Sequence, residues 1–307
     1  METLRVLVTG GAGFIGSHLV KALVKAGHQV RVLDNLSTGS IENLTDVLDA
    51  IEFVRGDIRD YGAVESAVSG VDAVVHLAAL IDVAESVEKP DLYFDVNIRG
   101  TYNVAKVLRN IDTFVFTSSS AVYGEPIKVP IPEDHPLMPK SPYAASKVSG
   151  EALVQAFANQ YGFRPVILRL FNVYGPKQSR AYAGVIIEII RRVSRGEPPI
   201  VFGDGEQTRD FVHVSDVVEA IMLSLRNEGV RGVLNIGSGE GITINYLANL
   251  ILKLMGREDL RPIYATPRPG DIRHSIADIT RARKGLGFKP KVELEVGIKE
   301  LIRHNII

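Results

Sequence analysis

The feature that most constrains this chain is a glycine-rich turn set between an apolar strand and a helical pattern. Leu4-Arg5-Val6-Leu7-Val8-Thr9 has the character of a buried strand, Gly10-Gly11-Ala12-Gly13-Phe14-Ile15-Gly16 follows, and helical periodicity runs on through Ala26. Glycines spaced three apart let the backbone turn sharply and approach a pyrophosphate closely. The helix that starts there offers its N-terminal N–H groups to the same charge. Gly10, Gly13 and Gly16, with Phe14 and Ile15 in the first helical turn, are therefore the expected phosphate-facing positions. Such a turn acquires meaning only inside a βαβ unit, which commits the chain to a parallel sheet with helical crossovers.

The second strand supports the same reading. It ends at Asp34, eighteen residues after Gly16, where a carboxylate accepts hydrogen bonds from an adenosine ribose. That charge repels a 2′-phosphate and no arginine follows closely, so NAD is favoured over NADP. A phosphate loop of the ATPase kind is rejected, because Ser17-His18 stand where Lys and Ser/Thr are required.

Strands at Gln29 to Leu33, Ile51 to Arg55, Ala73 to Leu77, Thr113 to Thr117 and Arg164 to Leu170 alternate with helical stretches, including a long one from Asp91 to Arg109. This alternation predicts an α/β fold with a Rossmann-type, doubly wound parallel sheet. Beyond Phe171 the pattern loosens around Gly175-Pro176, Gly196 to Pro199 and Pro267 to Gly270. The expected division is an NAD-binding domain over 1–170 and a smaller C-terminal substrate-binding α/β domain over 171–307, with parts near 212–237 returning to the first. Charges nearly cancel, 35 basic against 36 acidic residues, so neither nucleic acid nor a membrane surface is an expected partner. The chain has no cysteine, which removes disulfides, thiolate nucleophiles and Cys-ligated metals. No two of the seven histidines stand four apart, and no metal is expected. The apolar run from Ala73 to Ala84 is interrupted by His76 and Asp82, no secretory h-region is visible, and a cytoplasmic location is the expectation.

The candidate chemistry lies in Ser141-Pro142-Tyr143-Ala144-Ala145-Ser146-Lys147. Ser141 suits a helix N-cap and Pro142 the first helical position, so Tyr143 and Lys147 project from one helical face. A phenol near an ammonium ionises more readily than a free tyrosine, as a proton-abstracting group at neutral pH requires. On its own the pair also fits a solvated lysine beside a half-buried tyrosine.

The remaining motifs give the pair a context. Gly10-x-x-Gly13-x-x-Gly16, Asp57-Ile58, His76-Leu77-Ala78-Ala79, Asn97, Ser118-Ser119-Ser120-Ala121-Val122-Tyr123-Gly124 and Tyr143-x-x-x-Lys147 resemble the extended short-chain dehydrogenase/reductase family, in its UDP-sugar epimerase branch. The resemblance continues through Phe171-Asn172-Val173-Tyr174-Gly175-Pro176, Gly203-Asp204-Gly205, Arg209-Asp210-Phe211, Asn235 to Gly239 and Arg268-Pro269-Gly270-Asp271. It implies Tyr143 as acid/base, Lys147 on the nicotinamide ribose, and Ser119 as the catalytic hydroxyl, with Ser118 and Ser120 as alternatives one register away. It implies NAD held by Asp34, Asn35, Ser37 and Gly39 on the ribose side and by Asp57 and Ile58 at the adenine. Leu77, Ala78, Ala79, Asn97 and Ser118 are the implied wall of the cofactor cleft. The nucleotide-sugar substrate would meet Ser119, Tyr143, Asn172, Val201, Phe202, Arg209, Arg268 and Asp271, with the two arginines on the diphosphate. A homodimer is implied through the Asp91 and Pro142 helices, where Ala144, Ala145, Ser149 and Gly150 permit close approach.

Related dehydratases and decarboxylases carry an acid just before Val-Tyr-Gly, whereas this chain has Ala121. The expected reaction is therefore 4-epimerisation of a UDP-hexose, glucose to galactose, through a transient 4-keto sugar and NADH. Ser275, where a bulky aromatic is often found, extends the expectation to N-acetylated sugars. Ile81 and the short loop from Lys177 to Ala183 depart from the family pattern. The rival expectations are a UDP-glucuronate 4-epimerase, a decarboxylase, a keto-sugar reductase, or a non-catalytic NAD or nucleotide-sugar sensor.

Overall fold

The computed structural model describes residues 3–178, 184–267 and 270–305. Strand β1 (Arg5–Thr9) enters helix α1 (Phe14–Lys25) through the glycine turn, and β2 (Gln29–Asp34), a 3-10 segment (Ile41–Ala50) and β3 (Ile51–Arg55) follow. Next come α2 (Tyr61–Val68), β4 (Ala73–His76), α3 (Val83–Glu88) and a helical run made of α4 (Pro90–Tyr93), a π turn (Phe94–Arg99) and α5 (Gly100–Lys106). Strand β5 (Thr113–Ser119), a 3-10 turn (Ser120–Tyr123), α6 (Pro142–Tyr161) and β6 (Arg164–Leu170) lead into the second half. That half contains β7 (Asn172–Tyr174), α7 (Val185–Ser194), β8 (Ile200–Phe202), β9 (Thr208–Arg209), β10 (Phe211–His213), α8 (Val214–Arg226) and β11 (Gly232–Ile236). It ends with β12 (Ile242–Thr243), α9 (Ile244–Leu254), β13 (Ile263–Ala265), β14 (His274–Ser275), α10 (Thr280–Leu286) and α11 (Leu294–Asn305).

Seven parallel strands form one sheet in the order β3-β2-β1-β4-β5-β6-β11. The order reverses between β1 and β4, and at such a switch point the loops leave a crevice outside the carboxyl ends of the strands. The glycine turn, the end of β5 and the start of α6 all open onto it. Alternation along each strand feeds two cores: Val6, Val8 and Val32 with Leu19 and Val20 of α1 on one face, and Leu7, Val74, Phe114 and Phe116 with Val104 and Val154 on the other. The second half has its own core, where Ile186 and Ile190 of α7 pack with Leu247 and Ile251 of α9 and Ile298 and Leu301 of α11. The chain nevertheless returns to the first half, since β11 extends the main sheet beside β6 and α8 packs on α1.

Two stretches differ from the sequence reading. The helix expected from Asp91 to Arg109 is interrupted by the π turn and ends at Lys106. The widened turn accompanies a hydrogen bond from the Thr101 hydroxyl to the Asn97 carbonyl (2.5 Å) and turns the Asn97 side chain toward Leu80. Gly150, expected on a face between subunits, lies against the sheet instead: a Cβ there would stand 2.5 Å from Cζ of buried Phe116.

Candidate active site

The glycine turn is held by contacts that only glycine permits. Gly10 has φ +71°, and a Cβ there would come within 2.7 Å of the Ala78 amide nitrogen at the end of β4. A Cβ on Gly16 would lie 2.2 Å from the Gly10 carbonyl oxygen. Helix α1 begins after Gly13 without any side-chain cap, so its first N–H groups are available to an anion. Asp34 is buried at the tip of β2, accepting from the Ala12 amide (2.9 Å) and the Leu36 amide (2.8 Å). Burial raises its pKa, against the pull of those two amides. Asp57 accepts from Asn35 Nδ2 (2.8 Å) and from the Arg59 guanidinium, and Arg59 holds its pKa down at about 2. An uncapped helix N-terminus with two carboxylates together on one side of it fits an adenine dinucleotide.

At the other end of the cleft stand Tyr143, Lys147 and Ser119. Helix α6 starts as its sequence dictates, with Ser141 Oγ accepting from the Ala144 amide at 3.1 Å and Pro142 in the first turn. Tyr143 and Lys147 are both buried, one turn apart. Lys147 Nζ donates to the Thr117 carbonyl (2.9 Å) and sits 5.3 Å from the centre of the Phe116 ring. Burial pushes the Lys147 pKa down to about 8, with Glu151 pulling it up. Burial also raises the Tyr143 pKa, and the neighbouring Ser119 hydroxyl lowers it. Ser119 Oγ in turn accepts from the Ala121 amide (3.2 Å), which leaves its proton free for the tyrosine oxygen.

The three serines separate cleanly. Ser119 faces Tyr143, Ser120 opens the following 3-10 turn, and Ser118 turns into the protein to donate to Glu151 Oε1 at 2.5 Å. Ser118 borders the cleft with its hydroxyl already engaged.

One cleft of about 880 Å³ joins both ends. Gly10, Gly13, Phe14, Ile15 and Gly16 line its phosphate region, Asp34, Asn35, Ser37, Asp57 and Ile58 its nucleoside region, and Leu77, Ala78 and Ala79 its wall. On the substrate side Asn172, Arg209, Asp271 and Ser275 line it. Arg209 forms an ion pair with Asp271, and Asn172 Nδ2 donates to the Asp210 carbonyl (3.1 Å).

Four expected residues lie elsewhere. Asn97 stands behind the wall, with Oδ1 accepting from the Leu80 amide and Nδ2 donating to the Leu80 carbonyl and Ser146 Oγ, all at 2.9 Å. It shapes the cleft through Leu80 and α6, since both of its N–H groups are taken and Oδ1 is turned to the Leu80 amide. Gly39 packs on the backbone of Ala12, 2.8 Å from where its Cβ would be. Val201 is fully buried in the core of the second half, because strand alternation turns it inward. Phe202 lies away from the cleft, its carbonyl accepting from Gln207 Nε2 (2.8 Å). Arg268, and residues 179–183 of the short loop, lie outside the described residues.

The sequence reading missed Tyr174 and Gln178, which line the substrate side and whose Oη and Oε1 are buried without a hydrogen-bond partner among the described residues. Tyr174 stood inside a recognised motif, but nothing in its spacing tells a core tyrosine from a lining one. Among the described residues no group of three or more His, Asp or Glu side chains could hold a metal, and no helix is long and apolar enough to cross a membrane.

Comparison with known proteins agrees with this geometry. The model of the NAD dependent epimerase/dehydratase family matches residues 6–237. A putative UDP-glucose 4-epimerase of Methanocaldococcus jannaschii is 42% identical over 304 residues, 97% of each chain. The crystal structure of UDP-glucose 4-epimerase from Thermotoga maritima with UDP-glucose superposes with a TM-score of 0.93 at 41% identity, covering 98% of both chains. UDP-N-acetylglucosamine 4-epimerase from Methanobrevibacter ruminantium, in complex with UDP-N-acetylmuramic acid, gives 0.94 at 39% identity over 100% of this chain and 99% of that one. The chain belongs to the NAD-dependent epimerase/dehydratase family, and NAD is the cofactor its cleft is built to take.

Proposed function

We propose that this protein is an isomerase that inverts C4 of a UDP-hexose, interconverting UDP-glucose and UDP-galactose and accepting N-acetylated forms. The observation that carries the reading is the charge inventory of the cleft. Its lining carboxylates among the described residues are Asp34 and Asp57 at the nucleoside end and Asp271, paired with Arg209. Beside Ser119 and Tyr143 stands Ala121. A dehydratase or decarboxylase needs an acid or base for a second position of the sugar; with one proton-transfer group, the chemistry closes at one carbon.

In this reading Tyr143 takes the proton of the sugar 4-hydroxyl, and Ser119 donates a hydrogen bond to the same oxygen. The Lys147 ammonium, fixed on the Thr117 carbonyl, favours the phenolate. When bound, NAD supplies the acceptor and later the donor of the hydride at C4. Arg209 and Asn172 hold the diphosphate, so the hexose can present either face while its tether stays fixed. The small Ser275 side chain on the substrate wall leaves room for an acetamido group, and one solved relative is a UDP-N-acetylglucosamine 4-epimerase. A homodimer belongs to the proposal: Phe94 and Tyr102 remain exposed along the 90–106 helical run, at 54% and 38%, and light scattering tests it.

The deciding experiment is a panel of UDP- and dTDP-sugars with chromatography of the products and absorbance at the reduced-nicotinamide band. UDP-glucose and UDP-galactose should interconvert without added reductant. Loss of water or carbon dioxide from the sugar, or a requirement for NADPH, overturns the reading.

A further inference from the structure

Directly beneath the proton-transfer residues lies a buried polar layer to which the reaction assigns no task. Arg169 of β6 and Glu151 of α6 have side chains only 5% and 6% exposed. Arg169 Nε donates to Glu151 Oε1 (2.9 Å) and Nη2 to Oε2 (2.6 Å), a two-pronged pair. Its Nη1 donates to the Tyr123 hydroxyl and the Glu133 carbonyl, both at 2.9 Å, and its guanidinium lies 4.8 Å from the Tyr123 ring centre. The Tyr123 hydroxyl donates onward to Asn235 Oδ1 (2.6 Å). Glu151 Oε1 also takes the Ser118 hydroxyl. A buried ion pair contributes little net stability, since well-packed apolar side chains of similar volume serve as well or better. Its place therefore calls for another reason, and its neighbours supply one: Glu151 stands one helical turn beyond Lys147, and Ser118 immediately precedes Ser119.

We propose that the Glu151–Arg169 pair is a positioning device for proton transfer, which captures the Ser118 hydroxyl so that Ser119 alone meets Tyr143 and sets a carboxylate beside the Lys147 ammonium. The proposal rests on the epimerase reading. Ser118 and Arg169 are cross-strand partners in the β5–β6 register, so an anchored Ser118 fixes the end of β5. The Thr117 carbonyl that holds Lys147 belongs to the same strand end. The groups facing Lys147 are Tyr143 and Glu151 on its own helix, His76 of β4, which burial keeps neutral down to a pKa of about 3, and the Phe116 ring and Thr117 carbonyl of β5. Glu151 is the one anion among them; Glu133 lies behind Arg169, toward Asn235 and Arg281.

The test uses the full NAD-loaded protein in two forms. In Glu151→Gln the Arg169 charge is left unbalanced, and one fewer negative charge lowers every neighbouring proton affinity. The alkaline limb of the turnover profile, and the tyrosinate absorbance titration read against Tyr143→Phe as blank, should both move to lower pH by about half a unit or more. In Ser118→Ala the pair survives, so the profile should stay in place while kcat falls severalfold at unchanged KM. A folded Glu151→Gln protein with the parental titration overturns the proposal. If Glu151→Gln does not fold, Ser118→Ala with parental kcat overturns it. Should the parent protein turn over no UDP-hexose, the functional reading fails, and the tyrosinate titration still decides whether Glu151 acts on Tyr143.

Discussion

The two ends of the substrate pocket are held together by opposite kinds of electrostatics. At the β5–α6 corner the charges are buried: Glu151 and Arg169 are almost fully enclosed, and Lys147, Tyr143 and His76 are covered with them. On the substrate side the pairs are more open: Arg209–Asp271 has side chains 15% and 34% exposed, and Arg273–Asp204, outside the cleft lining, 49% and 58%. A buried pair cannot be opened without leaving a charge in low dielectric. An exposed pair is screened by water and salt and contributes about 0–1 kcal/mol. On the proposed function the contrast separates two duties: the corner would keep the reacting hydroxyls in one arrangement, while Arg209 would exchange its carboxylate for a diphosphate at small cost.

Four changes break or sharpen this contrast, in order of expected effect. Tyr143→Phe removes the proposed proton acceptor of the corner and should cut turnover by about a thousandfold or more, since general acid–base catalysis is worth about 10²–10⁴. The purified variant should keep its NAD; loss of the cofactor would mean that Tyr143 serves binding instead. Arg209→Met acts at the rim, where a charge-assisted contact to phosphate is worth about 1.5–3 kcal/mol. KM for the UDP-sugar should rise roughly ten- to hundredfold with kcat changed far less, and an equal fall in kcat would place Arg209 in the chemistry.

The third change concerns pH. His76 is wedged between the Thr9 and Thr101 hydroxyls at 2.6 and 3.1 Å, and burial pushes its pKa down to about 3. Between its unfolded value near 6.5 and that folded value, the unfolded chain binds the extra proton. Stability from this site is thus fully present above about pH 6.5 and is lost as pH falls toward 3. The melting temperature should drop over that window, less steeply in His76→Leu than in the parent; parallel slopes would exonerate His76. The smallest effect is expected from Asp271→Asn, which frees Arg209. UDP affinity measured by calorimetry should rise up to about fivefold, whereas a loss would show that Asp271 contacts the nucleotide.

Much of the cofactor end was legible because its residues act through the backbone at fixed spacing. Gly10, Gly13 and Gly16 have no alternative use between a strand and a helix, and Asp34 terminates a strand whose neighbour is set by the βαβ rule. The rim was less legible. Val201 and Phe202 sit in a strand whose partner β13 lies 63 residues on (Val201 opposite Tyr264), so which of them turns inward was invisible. Asn97 was read as a cleft residue because no local pattern announces a π turn. The Glu151–Arg169 pair was overlooked for a similar reason, its members being eighteen residues apart on a helix and a strand.

The sequence by itself determined the parallel sheet, the dinucleotide turn, the preference for NAD and the presence of Tyr143 and Lys147 on one helical face, because each follows from local periodicity and from what glycine, proline and carboxylate can do. The resemblance already pointed to Ser119 among three serines; the tertiary structure decided that Ser118 is taken up by Glu151 and that Arg209 is paired with Asp271. Those are matters of burial and of contact between distant strands and helices, and charge acquires its strength only where water is excluded.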